Sequence, residues 1–197
     1  MQQCSFELLV QRHERVSGKE SRVLPLAYFG ISVVLSFVVW GIIAARYLWP
    51  ALRSQSRTAA LRPILLLHSF RFVGLAFLVP GVVMPDLSPD FARPAAYGDL
   101  IAAVLALLAL AGLESRAGIA LVWVFNVWGS VDLTYAFYQG LIGVGIRPGQ
   151  LGAAYFIPTV AVPLLLVTHG LAFRLLLRGN GVATSRDSQH GAIPGPH

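Results

Sequence analysis

Charged residues and cysteines are both scarce in this chain of 197 residues. Only 12% of the residues are charged, about half of the roughly 25% that is typical of a soluble domain. The single cysteine, Cys4, excludes an internal disulfide framework and any CxxC motif for metal binding or redox chemistry. Hydrophobic residues make up 56% of the chain. Scarce charge combined with long apolar runs is typical of a membrane protein.

Signature motifs of enzymes are missing as well. The chain contains neither an HExxH metalloprotease motif nor a GxSxG nucleophile motif. No internal repeat is present, so the sequence does not favour an inverted-repeat transporter. Lysine is almost absent, and the net charge of +6 comes from fourteen arginines and one lysine. Most of these cations flank apolar segments, which makes the lipid bilayer the expected partner and excludes nucleic acid.

Five stretches reach the roughly 20 apolar residues that a membrane-spanning helix needs. They predict an all-α, polytopic integral membrane bundle of five transmembrane helices joined by short loops. The transmembrane domain covers residues 24–178, and the helices are predicted at about residues 24–49, 61–83, 95–113, 118–139 and 152–177. Short connections make consecutive helices antiparallel neighbours.

Polar tails flank this domain. Residues 1–23 are predicted to form an amino-terminal tail, in which Phe6, Leu9 and Val10 share one face, as an interfacial helix requires. Residues 179–197 are rich in glycine, proline and serine and are predicted to be disordered.

The distribution of arginine predicts the orientation. Cytoplasmic loops carry an excess of lysine and arginine, and one side of the bundle would hold Arg46, Arg53, Arg57, Arg62, Arg116, Arg174, Arg178 and Arg186. The other loops hold Arg93 and Arg147 with two aspartates. We therefore expect a bacterial inner-membrane protein with its carboxyl terminus in the cytoplasm. The cations of residues 1–23 argue against this orientation, because they would then lie outside.

Four polar residues are predicted to form an internal cluster at one depth. Arg71 lies deep in the second helix, where an isolated arginine costs about 2.5–3.5 kcal/mol even on the lenient insertion scale. His68 precedes it by three residues and shares its face, and Gly74 leaves room for another helix. Counting residues from the helix ends places Asn126 and His169 in the same layer. The candidate ligand- or cofactor-binding residues are therefore His68, Arg71, Asn126 and His169.

A second polar cluster is predicted nearer the outside. It comprises Asp99, Asp132, Tyr135 and Tyr155. Purely structural roles are an alternative for both clusters. The histidines would form hydrogen bonds between helices, Arg71 would hold two helices together, and Asp99 would lie in the first turn of its helix.

Four functions are compatible with these clusters, and the sequence favours an accessory or structural membrane subunit. One alternative is a proton or small-solute conduit or carrier that acts as a homo-oligomer or with a partner membrane protein. Another is a b-type haem subunit in which His68 and His169 ligate the iron. The last is a membrane enzyme that acts on a lipid-like substrate.

Overall fold

The computed structural model describes residues 24–178, and this part of the chain is helical without a strand. Five helices are long and apolar enough to cross a membrane, which confirms the predicted fold class. They are α1 (Leu24–Arg53), α2 (Arg57–Leu78), α3 (Pro89–Ala111), α4 (Arg116–Gly143) and α5 (Ile157–Leu177). The predictions for residues 1–23 and 179–197 lie outside the described residues.

Serine caps set the beginning of three helices. The hydroxyls of Ser56, Ser88 and Ser115 accept hydrogen bonds from backbone N–H groups in the first turn of α2, α3 and α4. Helix α3 therefore starts at Pro89, about six residues before the predicted start at residue 95. Asp99 consequently lies in the middle of the helix and is not in its first turn.

Much of the bundle departs from regular α-helix. The end of α2, Phe70–Leu78, is a 3₁₀ helix, and α5 begins with the π-helical turn Ile157–Ala161. A separate 3₁₀ helix, Pro148–Tyr155, contains Gly152 at φ +52°. This left-handed residue ends the continuous helix predicted from residue 152, so that α5 starts at residue 157.

Two ends of the bundle are distinguished by their loops. We call the end that carries residues 54–56 and 112–115 the basic end. Arg178 Nη1 donates to the carbonyl oxygen of Arg53 there, at 3.1 Å. We call the other end, with residues 79–88 and 144–156, the Asp86 end. Asp86 pairs with Arg147 at 2.7 Å at this end.

Apolar cores fill both halves of the bundle. The core near the basic end includes Leu61, Leu65, Phe125 and Leu175. The core near the Asp86 end includes Phe77, Phe91 and Leu151. The polar candidate residues lie between these two cores, which fixes their depth in the bundle.

Candidate functional site

Arg71 is buried between two carboxylates from neighbouring helices. Its side chain is fully buried, whereas those of Asp99 and Asp132 are 9% and 12% exposed. Nε and Nη2 both lie 2.7 Å from Oδ1 of Asp99, and Nη2 lies 2.5 Å from Oδ2 of Asp132. Nη1 donates to the carbonyl oxygen of Gly129 at 3.3 Å. One guanidinium therefore joins α2 to α3 and α4, and the planar fork suits this arrangement of oxygens.

This ion-pair cluster corrects the predicted division into two layers. The sequence grouped Arg71 with the histidines and placed Asp99 and Asp132 in a separate outer cluster, but both carboxylates bond to Arg71. Arg71 is the second residue of the 3₁₀ segment, and its long side chain reaches both carboxylates.

Close helix approach at Gly74 brings the carboxylates to Arg71. A 3₁₀ helix has three residues per turn, so Arg71, Gly74 and Phe77 line one face, and all three are buried. A Cβ atom at residue 74 would collide with the side chain of Asp99. The predicted role of Gly74 in admitting another helix is thereby confirmed, and what it admits is the partner of Arg71.

Two further glycines make similar room, and neither was predicted from the sequence. A Cβ atom at Gly98 would collide with the Asp132 carboxylate. A Cβ atom at Gly129 would lie 2.6 Å from His169 Nε2 and 2.7 Å from Arg71 Nη1. Glycine spacing alone does not reveal these roles, because the chain contains 19 glycines.

The two histidines meet, as the depth estimate predicted. Their ring centroids are 4.2 Å apart, and the residues are 0% and 1% exposed. His169 Nδ1 lies 2.7 Å from Asn126 Oδ1, while Asn126 Nδ2 donates to the His169 carbonyl at 3.3 Å. The structure therefore brings His68, Asn126 and His169 together where α2, α4 and α5 meet, and their role in binding a ligand stays a prediction.

Hydrogen bonding and burial together favour a neutral tautomer for each ring, because a second proton on either ring would be a buried donor without a partner. Thr168 Oγ1 donates to backbone carbonyls of its own helix, so it accepts from His68 Nε2 at 2.9 Å. Asn126 Oδ1 is an acceptor, so His169 Nδ1 carries a proton. The remaining nitrogens, His68 Nδ1 and His169 Nε2, are buried acceptors without a hydrogen-bond partner. Thr168 was missed because nothing in the sequence distinguishes it from other helical threonines.

A haem between these histidines does not fit the structure. Axial ligation places the porphyrin between the two imidazoles. Here the rings are in direct contact, with Phe125 packed against both at centroid distances of 5.1 and 5.2 Å. His68 Nε2 is also occupied by Thr168. The packing of His68 and His169 therefore leaves no space for a porphyrin between the two rings.

Two predicted members of the second cluster lie elsewhere. Tyr135 is 50% exposed on the outer surface of α4. Tyr155 belongs to the short 3₁₀ helix before α5, and its ring packs against Phe29 with a centroid distance of 5.9 Å. Its hydroxyl lies 3.4 Å from that of Ser32. Sequence spacing placed Tyr155 in α5, whereas the break at Gly152 turns it toward α1.

A narrow cavity leads from the Asp86 end to the two carboxylates. Its volume is about 50 Å³, enough for about three to five waters if each needs roughly 10–15 Å³. Among the described residues that line it, Asp99 and Asp132 are the charged ones, and apolar side chains such as Phe77, Phe91 and Phe137 form the walls. The carboxylates are therefore reached through an apolar passage.

The basic end of the bundle is closed beneath the histidines. Leu61, Leu65, Phe125 and Leu175 are each at most 1% exposed and pack together there. The polar cluster thus faces a cavity on one side and a sealed apolar core on the other.

Comparison with curated proteins found no match, and comparison with solved structures found none either. A family model described as a domain of unknown function, DUF8737, matches residues 28–177. The match covers α2 to α5 entirely and most of α1, so it includes every residue of the polar cluster. The chain therefore belongs to the DUF8737 family.

Proposed function

We propose that this protein is a membrane conduit or carrier that binds and exchanges a proton at Arg71, Asp99 and Asp132. The observation that supports this function is the unequal number of charges: a single buried guanidinium faces two carboxylates. Ionisable groups buried within spanning helices are candidates for proton relays and substrate pathways. The proposal favours the conduit interpretation over the accessory one that the sequence favoured.

The charge balance supports a proton as the bound species. The tautomers leave both histidines neutral, so the cluster carries one uncompensated negative charge when both carboxylates are ionised. An unpaired charge in a medium of low dielectric constant is strongly disfavoured. One bound proton restores neutrality. A purely structural clamp needs only one carboxylate for Arg71, and the second carboxylate provides the site where the proton binds and leaves.

Asp132 is the carboxylate that we expect to exchange its proton. Asp99 Oδ1 lies within 2.7 Å of two guanidinium nitrogens, whereas Asp132 Oδ2 contacts one. Asp132 is also the more exposed of the two, at 12% against 9%, and both line the cavity. It combines the weaker attachment to Arg71 with access to the passage.

The histidines extend the polar path toward the basic end. A Cβ atom at Gly129 would touch both His169 Nε2 and Arg71 Nη1, so these two atoms face the same small space. The unpartnered His169 nitrogen is an acceptor, and the His68 ring packs beside that of His169 at an angle of 50°. Beyond His68 the path is sealed by apolar side chains. Transfer to the basic side therefore requires this seal to open.

We further propose that the protein lies in a bacterial inner membrane with the basic end in the cytoplasm. Arg53, Arg62, Arg116 and Arg178 lie at that end, and an excess of arginine favours the cytoplasmic side. Reporter domains fused after Leu177 and within residues 79–88 test this orientation. An enzyme active only in the cytoplasm should function at the first position and not at the second; the reverse pattern contradicts the orientation.

Proton flux into sealed vesicles tests the proposed activity. The purified chain is reconstituted with a pH-sensitive dye inside, and a membrane potential is imposed. Wild-type vesicles should acidify faster than empty ones, and Asp132→Asn should abolish the difference. Glu114→Gln is the matched control, because Glu114 forms an exposed ion pair with Arg62 at the basic end. It should retain the wild-type rate.

Two results contradict the proposal. One is a wild-type flux equal to that of empty vesicles, and the other is an Asp132→Asn flux equal to that of the wild type. Asp132→Asn must elute as a folded species for the comparison to hold. If it does not, Asp132→Glu takes its place. That variant keeps the carboxylate but shifts it, so it should fold and transport at a reduced rate.

A structural role is the second candidate, and one observation favours it. Arg71 joins α2 to α3 and α4, while His68–Thr168 and Asn126–His169 contacts join α2 and α4 to α5. Such contacts can fix helix register alone. Loss of stability in Asp132→Asn, together with wild-type vesicles that show no flux, would favour this role.

A further inference from the structure

Two arginines share one tryptophan ring at the basic end. Arg174 is in the last turn of α5, Arg178 directly follows the end of this helix, and both face Trp49 of α1. Their Cζ atoms lie 4.2 and 5.5 Å from the ring centroid. The indole face attracts guanidinium groups, so the ring holds two positive charges in one place. Both arginines are exposed, so two cations lie at the surface where α5 meets α1.

No described carboxylate neutralises this pair. Glu114, at the same end of the bundle, is engaged by Arg62 at 2.9 Å. The remaining contact of Arg178 is with the Arg53 carbonyl, at the carboxyl end of α1, where the helix dipole is negative. Like charges held on one ring repel each other. A bound anion would remove this repulsion, and a phosphate group matches the donor fork of arginine.

The position of the pair identifies the source of the phosphate. Arg174 lies in the last turn of a candidate spanning helix and Arg178 directly follows it, at the level where lipid headgroups lie. Leu177, between them in sequence, is 72% exposed and offers an apolar contact to an acyl chain. Basic pockets between spanning helices on the cytoplasmic side bind anionic headgroups. A lipid satisfies both the charged and the apolar features, whereas free phosphate satisfies only the first.

We propose that Trp49, Arg174 and Arg178 form a binding site for the phosphodiester headgroup of an anionic phospholipid. The two guanidiniums donate to the phosphate oxygens from one side, and Trp49 fixes their positions. The acyl chains run along the exposed surface beside Leu177. This site is separate from the Arg71 cluster and does not depend on the proposed proton exchange.

Native mass spectrometry of the full chain released from detergent tests the site. The probes are phosphatidylglycerol, phosphatidylcholine and inorganic phosphate, each added at the same concentrations. The wild type should retain phosphatidylglycerol at concentrations at least tenfold lower than those needed for phosphatidylcholine. The double variant Arg174→Gln/Arg178→Gln should lose this preference. Arg116→Gln removes an exposed cation from the same end and should keep it.

Three outcomes overturn the proposal. One is retention of phosphatidylglycerol by the double variant at the wild-type level. Another is an equal loss in Arg116→Gln, which would indicate general attraction to the basic end. The third is displacement of the lipid by inorganic phosphate at similar concentrations, which would indicate a site for free phosphate. If the double variant does not fold, the two single variants replace it, and each should lose part of the preference.

Discussion

Gly74→Ala should destabilise the bundle by forcing α2 and α3 apart at the ion-pair cluster. The new Cβ atom would lie 2.6 Å from Asp99 Cβ and 2.7 Å from Asp99 Cγ. Carbon atoms in contact prefer a separation of about 3.5–4.0 Å, so an overlap of roughly 1 Å must be relieved. Asp99 Cβ is fixed to the backbone of α3, and a rotamer change cannot move it away. The helices must therefore separate locally, which also weakens the bond between Arg71 and Asp99.

The magnitude follows from two opposing effects. Overpacking a filled interior costs about 1–3 kcal/mol. Replacing glycine by alanine in a helix contributes about 0.5–1 kcal/mol in the other direction. Gly170→Ala in α5 is the matched control, because a Cβ atom there would have nothing within 4 Å. Both variants share the helix gain, so the difference between them isolates the collision and should be about 1–3 kcal/mol.

The assay is the free energy of unfolding in mixed micelles titrated with a denaturing detergent. Gly170→Ala should unfold at the same or a higher detergent fraction than the wild type, and Gly74→Ala at a lower one. Equal stability of the two variants would refute the close packing of Gly74 against Asp99. A loss in Gly170→Ala as large as that in Gly74→Ala would show that the two sites do not differ in the way the structure describes.

Two further predictions concern single contacts. The Gln150 hydrogen bond, with help from Arg147, holds the pKa of Asp86 below its ordinary value of 3.8. The stability that ionised Asp86 contributes is therefore complete above pH 3.8 and is lost as the pH falls through the lower, folded-state pKa. Asp86→Asn should remove this part of the pH dependence of the free energy of unfolding, measured across the same acid range. Thr168→Val leaves His68 Nε2 without its partner and should cost about 1–3 kcal/mol in detergent titrations, whereas the exposed Thr134→Val should change stability by less than about 0.5 kcal/mol.

The sequence was sufficient to predict the helices and the internal position of Arg71. Apolar length identified five helices, because a spanning helix needs about 20 such residues. Because an unpaired arginine inside a membrane is costly, the sequence also predicted that Arg71 has polar partners. Depth counting brought His68 and His169 together because both lie in regular α-helix, in which residue number converts directly into distance.

The partners of Arg71 could not be predicted in the same way. The 3₁₀ segment Phe70–Leu78 changes both the rise and the face of α2, and the apolar residues there carry no sign of that change. Asp99 was also placed too near a helix end, since the serine cap at Ser88 extends α3 by about two turns. Tyr155 was misplaced by the backbone break at Gly152. Each error arose where residue number and distance are no longer proportional.

These irregular segments are not evenly distributed along the bundle. In the described residues, α2, α4 and α5 all leave regular α-helix toward the Asp86 end, at Phe70–Leu78, Gln139–Gly143 and Ile157–Ala161. In contrast, these three helices are regular toward the basic end, where leucines and Phe125 pack tightly. Short 3₁₀ and π segments often mark hinges and functional sites. The half of the bundle that contains the cavity therefore has three of these segments, whereas the basic half has one in the described helices, the π-helical turn Ala44–Leu48 of α1. Rearrangement that widens access to Asp132 should begin in the half with the cavity.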